Sequence, residues 1–186
     1  MSQPSDTTAS TASRTGTVAS VNVNPAGGVP KLPVPQTTIR RLGVEGDKQR
    51  NLKYHGGPKR AVCLYSADLI AKLNAEGHPI AAGTTGENLT LAGVDWSLMT
   101  PGARLTIGDE VELSVTDFTV PCSHIRESFT DLHFKRIGQE DHPGWSRVYA
   151  RVIREGVVRV GDCVTVTPAV DAQAHLFDPS ATLPVS

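Results

Sequence analysis

The chain has 186 residues, of which 39% are hydrophobic and 20% charged, and its formal net charge is −1. That length suits one domain with tails, and the apolar share argues against wholesale disorder. The even charge balance leaves no electrostatic footprint for nucleic acid or an anionic membrane, while a local basic pocket for a single anion stays open.

Residues 1–15 are mostly Ser, Thr and other small polar groups. They cannot bury enough apolar surface to offset ordering, so a flexible tail is expected. This start lacks the apolar centre of a secretory signal, and no later run has membrane-spanning length, so a cytoplasmic location is expected.

Residues 16–168 carry short β-rich runs separated by turn signals. Thr17 to Val23 alternates with period two, as a half-buried strand should. A turn follows at Ala26 to Pro30, then a candidate strand at Thr37 to Leu42. Ala61 to Tyr65 is a short apolar run suited to a buried strand. Ser66 has the character of an N-cap for a helix from Ala67 to Glu76, with Leu69, Ile70 and Leu73 on one face and Gly77 ending it. Further strands are expected at Asn88 to Leu91, Arg104 to Ile107, Val111 to Val115, Val148 to Ile153 and Val164 to Val166. Gly108-Asp109 and Gly161-Asp162 read as tight turns feeding strands. Asp131 to Gln139 is expected to form a short second helix. Residues 169–186 have no clear pattern and form a second tail, with Pro179 and Pro184 against a long helix.

No βαβ alternation is evident, which disfavours a doubly wound parallel sheet. The expected fold is mainly β, a closed or partly open barrel with a few short helices.

Three cysteines stand at 63, 122 and 163. An odd, widely spaced set gives no disulfide framework and no CxxC knuckle, and free thiols fit a reducing compartment. Cys63 and Cys163 lie inside apolar strand runs and are expected to be buried structural thiols. Cys122 differs, because it follows a β-rich run and Pro121, where a strand should end and a stiffened loop begin. A thiolate there would be a nucleophile or a soft metal ligand, helped by nearby donors or charge from Ser123, His124 and Arg126. Position alone favours the plainer reading, a buried structural thiol.

Three other clusters carry chemical potential. His55-Gly56-Gly57, followed by Lys59 and Arg60, permits a backbone path on which N–H groups approach an oxyanion; an ordinary Gly-rich turn fits the same residues. Gly83 to Thr90 sets Thr84, Thr85, Gly86, Glu87 and Asn88 ahead of a strand. Asn88 offers both donor and acceptor atoms, yet Glu87 and Asn88 also suit the tying of a tight turn. Val44-Glu45-Gly46-Asp47 is acidic and turn-like. Glu45, Asp47, Glu87 and Asp117 include possible acids or bases. Zinc is disfavoured, since Cys122, His55, His124, His133 and His142 match no common ligand spacing. No context favours a Cys-His acyl-transfer pair. Trp96 and Trp145 read as packing anchors rather than stacking platforms.

In this order the clusters resemble the MOSC domain, named for the C-terminal domain of molybdenum-cofactor sulfurase. The resemblance runs from about Gly16 to Thr167. It includes Gly46-Asp47, His55-Gly56-Gly57, the Ala61-Val62 strand, Gly86 to Thr90, the Gly93 turn, Ile107-Gly108 and Pro121-Cys122. It closes with Tyr149 to Gly156 and Val160-Gly161-Asp162, and is nearest to the stand-alone bacterial branch. Each motif is weak alone; their order and spacing carry the likeness.

The resemblance implies a β-barrel with a loop-closed cleft and Cys122 as the reactive group and molybdenum ligand. It implies a molybdenum cofactor, with His55, Gly56, Gly57, Thr85, Gly86, Glu87, Asn88, Ser123 and Arg126 as cofactor-pocket candidates. Reductase members act on N-hydroxylated bases or amidoximes. Sulfurase members work beside a pyridoxal-phosphate cysteine desulfurase. No pyridoxal-phosphate site and no iron–sulfur cysteine set is identified on this chain, so a reductase would need an external electron donor. A sulfur-carrier module with a persulfide on Cys122 would need a separate desulfurase. A barrel that binds a ligand without redox chemistry is the third reading.

Overall fold

The computed structural model describes residues 14–48 and 57–170. Eleven strands and one complete α-helix among the described residues follow in chain order. They are β1 (Arg14–Val23), β2 (Leu32–Val34), β3 (Gln36–Arg40), β4 (Gly43–Val44), β5 (Val62–Ser66), α1 (Ala67–Ala75) and β6 (Leu89–Ala92). Then come β7 (Arg104–Ile107), β8 (Val111–Phe118), β9 (Val148–Arg154), β10 (Gly156–Arg159) and β11 (Cys163–Thr167). Between β8 and β9 the chain forms short 3-10 turns.

The main sheet runs β11-β7-β8-β9-β5-β6-β1, and β11 pairs back onto β1 to close a seven-stranded barrel. Closure removes the unpaired edges an open sheet would expose. β2 hangs on the far end of β1. β3, β4 and β10 form a separate antiparallel sheet whose Ile39, Val44 and Val158 join the barrel core.

Period-two patterning explains why these segments are strands. In β7, Leu105 and Ile107 are buried while Arg104 and Thr106 are exposed. In β11, Val164 and Val166 point inward. Leu64, Leu89, Leu91, Leu113, Val148 and Ala150 complete an aliphatic interior. All five residues of β5 are buried, because loops and α1 cover its outer face. A bulge in β8 between Val115 and Asp117 redirects the strand shortly before Cys122.

The helix starts and stops as the sequence dictates. Ser66 Oγ accepts from the Leu69 amide at 3.2 Å, capping the first turn. At the other end the Gly77 amide donates to Asn74 O and the His78 amide to Leu73 O, a Schellman closure with Gly77 at φ 92°.

The structure corrects five expectations. β5–α1–β6 is a βαβ unit with parallel pairing of Leu64 to Leu89, although no further alternation follows. The expected helix at Asp131 to Gln139 is a broken pair of 3-10 turns at Thr130–Leu132 and Phe134–Ile137. Asp131 and Leu132 take φ of 53° and 59°, which no α-helix accommodates. Cys163 is exposed at the start of β11 rather than buried, because β11 begins one residue before its inward-facing Val164. Arg14 and Thr15 already pair with Val166 and Thr165, so the barrel begins inside the segment expected to be tail. Strands β2, β4 and β10 are present although their two to four residues give no periodic signal. Residues 1–13 and 171–186 of the expected tails lie outside the described residues. No helix among the described residues is long and apolar enough to cross a membrane.

Candidate functional site

Cys122 sits four residues beyond the end of β8, in extended backbone, as the cap of the 3-10 turn Ser123–Ser128. Its thiol is half-buried and lies 3.5 Å from His124 Nδ1. Ser123 and Arg126 are exposed in the same turn, and Arg126 pairs with Glu127 at 3.1 Å. Val120, just before Pro121-Cys122, is 83% exposed, an apolar side chain at the rim of this loop.

Several segments converge on the stem of the Cys122 loop. The Thr119 amide donates to Arg147 O, and Ser146 Oγ donates to Thr119 O. Ser128 Oγ donates to Thr84 O, tying the turn after Cys122 to the Gly83 to Asn88 loop. That loop is in turn held by Arg147, whose Nη1 donates to the Thr85 carbonyl.

Within this loop the polar side chains hold one another. Glu87 is fully buried; its Oε1 accepts from the Gly83 amide at 2.6 Å and Thr90 Oγ1 at 3.1 Å. Its Oε2 accepts from Thr85 Oγ1 at 2.7 Å. Gly83 takes φ of 80°, and a Cβ there would collide with the Lys31 carbonyl, so only glycine allows this close passage. Asn88 Oδ1 accepts from the Cys63 amide at 3.1 Å, and its Nδ2 donates to Asp47 Oδ2 at 2.9 Å. Asp47 also accepts from Lys31 Nζ at 2.6 Å and the Asn24 amide at 2.9 Å. Thr85, Glu87, Asn88 and Asp47 therefore form the frame of the site. Gly86, at φ 85°, passes beside Val29 and Arg147.

Gly57 to Arg60 approaches from another side. Gly57 has φ of 75° with open space where a Cβ would stand. The Lys59 carbonyl accepts from Thr116 Oγ1 at 2.6 Å. Arg60 lies 3.7 Å from Asp117 and 5.4 Å above the Tyr149 ring. His55 and Gly56 lie outside the described residues. Glu45 is exposed and faces Arg40 at 3.7 Å, away from this convergence.

Beneath the loops lies the outer face of β5 and β9, where Cys63 stands opposite Tyr149. Burial pushes the Cys63 thiol and the Tyr65 and Tyr149 phenols well up, while the positive charge of Arg147 acts downward on all three. Cys122 also acts on Tyr149, as do Cys63 and Arg60, so these groups share one neighbourhood. Arg147 and Tyr149 are the site residues that sequence reasoning missed. A run of Trp-Ser-Arg-Val-Tyr-Ala gives no sign that its arginine is buried. The available signal was the alternation of β9, which turns Arg147 and Tyr149 away from the barrel interior.

A separate groove of about 600 Å³ lies on the 3-10 turns, lined by His78, His133, His142 and Arg136 among others. It does not include Cys122, and its residues serve to pack the turns onto α1. Arg136 makes two bonds to Glu76, at 2.8 and 2.5 Å, and stacks 3.8 Å above the Trp145 ring. Trp145 is thus a platform for a cation as well as an anchor, whereas Trp96 packs edge-on against Tyr65 and donates to Ser146 O. Among the described residues, no three His, Cys, Asp or Glu side chains form a metal-holding cluster.

Comparison with known proteins gives consistent results. The MOSC domain profile matches residues 51–165. The Bacillus subtilis protein YflK is 30% identical over 72% of this chain, and the chain spans 60% of it. The Escherichia coli protein YiiM is 29% identical over 75% of this chain, which spans 67% of it. A Gibberella moniliformis protein named as a reductase is 30% identical over 67% of this chain, but the chain spans only 22% of that protein. In structure, YuaD of Bacillus subtilis superposes with a TM-score of 0.65 at 16% identity, over 84% of this chain and 97% of its own. YiiM of Geobacillus stearothermophilus gives 0.60 at 24% identity, over 81% and 74%. At these identities the solved structures establish a shared fold.

Proposed function

This chain belongs to the MOSC domain family, and on that footing we propose that it is an oxidoreductase component holding a molybdenum cofactor through the Cys122 thiolate. The observation that carries this reading is the half-buried thiol of Cys122, set on a loop where the other motif segments converge. Its donor chemistry fits the group, because a thiolate is a soft ligand. Cys63, by contrast, is sealed in and held protonated by burial. A relative named as a reductase supports redox chemistry in the family.

The residues divide the task. Cys122 would hold the metal, and His124 Nδ1 is placed to take the thiol proton. Thr85, Glu87 and Asn88 would fix the loop beside the cofactor, with Gly57, Gly86, Ser123 and Arg126 as further contacts to it. His55 and Gly56 complete the proposed cofactor set. The bound cofactor would supply two-electron chemistry at a substrate oxygen. An N-hydroxylated base would take up two electrons and two protons and release its oxygen as water. The electrons would come from a separate donor protein.

The test is molybdenum content by elemental mass spectrometry, for wild type and Cys122→Ser purified from a cofactor-producing host. Stoichiometric metal in wild type and none in the variant is the expected result. Folded wild type without metal, from a host that loads other molybdenum enzymes, would overturn the reading. The same accessible thiol favours one other role, a persulfide carrier served by a cysteine desulfurase. Added sulfur on Cys122 after incubation with such an enzyme would then be the signature in intact-mass spectra.

A further inference from the structure

Arg147 stands immediately before β9. Val148 and Ala150 enter the barrel core, so the alternation of the strand sends Arg147 and Tyr149 to the opposite, loop-covered face. Arg147 is only 6% exposed. Its Nη1 donates to the Thr85 carbonyl, and its buried Nε has no hydrogen-bond partner. Among the described residues the buried carboxylates of this frame are engaged elsewhere: Glu87 gives both its oxygens to Gly83, Thr85 and Thr90, and Asp47 accepts from Lys31, Asn24 and Asn88. A buried guanidinium is thus left with a neutral carbonyl and an idle N–H, an arrangement that costs stability unless an anion completes it.

Two features tie this idle group to the Cys122 site. The Arg147 carbonyl accepts from Thr119, at the stem of the Cys122 loop. The Thr85 carbonyl that occupies Nη1 belongs to the loop that Ser128 binds after Cys122. A planar guanidinium fork matches a tetrahedral oxyanion better than it matches one carbonyl.

We propose that Arg147 anchors a phosphate-class oxyanion on the ligand whose other end lies at Cys122. This rests on the reading of the Cys122 end as a ligand site, but not on the metal. The anion would take the place of the Thr85 carbonyl on Nη1, with the idle Nε beside it. Arg147 is a binding and positioning residue; the pocket thereby acquires a charged end and a thiol end, which fixes the direction in which a ligand lies.

Calorimetry with inorganic phosphate at constant ionic strength tests this on the full chain. Wild type should bind phosphate, and Arg147→Met should bind it at least about tenfold more weakly, the loss expected for one charge-assisted hydrogen bond. Arg147→Lys should fall between them, and Cys122→Ser should match wild type. Absence of phosphate binding by wild type, or unchanged affinity in folded Arg147→Met, overturns the proposal. If Arg147→Met does not fold, crystals of wild type grown with inorganic phosphate answer instead. Phosphate on the Arg147 guanidinium supports the assignment, and water alone at Nε overturns it. Phosphate binding without molybdenum would defeat only the metal reading, and molybdenum without phosphate binding only this one.

Discussion

In the barrel wall, Leu64, Leu89, Leu105, Ile107 and Leu113 are fully buried, and their backbone groups pair in the strand ladders. In the loops over β5 and β9, the buried side chains include Thr85, Glu87, Asn88 and Arg147, and the bonds run from side chain to backbone or to one another. The first region is held by apolar area, which is non-directional and spread over many contacts. The second is held by a few directional bonds, each of which leaves buried partners unsatisfied if broken. Such a frame can hold a buried guanidinium and the stem of the Cys122 loop at defined points.

This contrast can be broken by mutation. The largest effect is expected for Leu113→Ala in the wall, at about 2–5 kcal/mol, since the ladder on both sides prevents collapse into the void. Thermal or denaturant unfolding measures it, and the loss should be global, with every probe reporting one transition. Glu87→Ala should follow, at about 1–3 kcal/mol, from the stranded Gly83 amide and the two threonine hydroxyls. Its signature is local: hydrogen exchange should rise at Gly83 and through the loop to Asn88 before the wall is affected. If Glu87→Ala instead unfolds the barrel as a whole, the two regions are one cooperative unit and the distinction fails.

Cys122→Ser should change stability by only about 0.5 kcal/mol or less, because the residue is half-buried and its side chain makes no capping hydrogen bond. On the proposed function, the same variant should purify without molybdenum from a host that loads wild type. A large fall in stability would recast Cys122 as a packing residue.

The division also explains what the sequence disclosed. The wall was legible because β1, β5, β7, β8, β9 and β11 carry period-two or continuous apolar runs, and α1 carries its own Ser66 and Gly77 stop signals. The three short strands were not, because Leu32–Val34, Gly43–Val44 and Gly156–Arg159 are too short to show a period, and partners distant in sequence define them. The segment from Asp131 to Ile137 has helical spacing of Phe134 and Ile137, but left-handed backbone at Asp131 and Leu132 breaks it. At the site, the loop position of Cys122 followed from Pro121 and the strand end, while its burial was left open and is intermediate. Arg147 stayed hidden because arginine is usually exposed, and only the β9 register shows that it lies under the loops.

The smallest effect sharpens the comparison at its edge, where Arg136 clamps the 3-10 turns onto the C-terminal end of α1. Hydrogen bonding from Arg136 holds the Glu76 carboxyl below its usual range, with the charges of Arg136, His78 and His142 adding in the same direction. A carboxylate with a lowered value in the folded state contributes stability at neutral pH and loses it as pH falls through that value. Glu76 is more than a third exposed, so solvent screens the pair and the contribution is small. Glu76→Gln should therefore lower the melting temperature slightly at neutral pH, and the gap to wild type should close in acid. Added salt should narrow it as well. A gap that persists unchanged in acid would mean that Glu76 acts through its shape and neutral hydrogen bonds. The clamp would then belong with the directional frame of the loops, and the Trp145 platform beneath Arg136 would carry most of its hold on the turns.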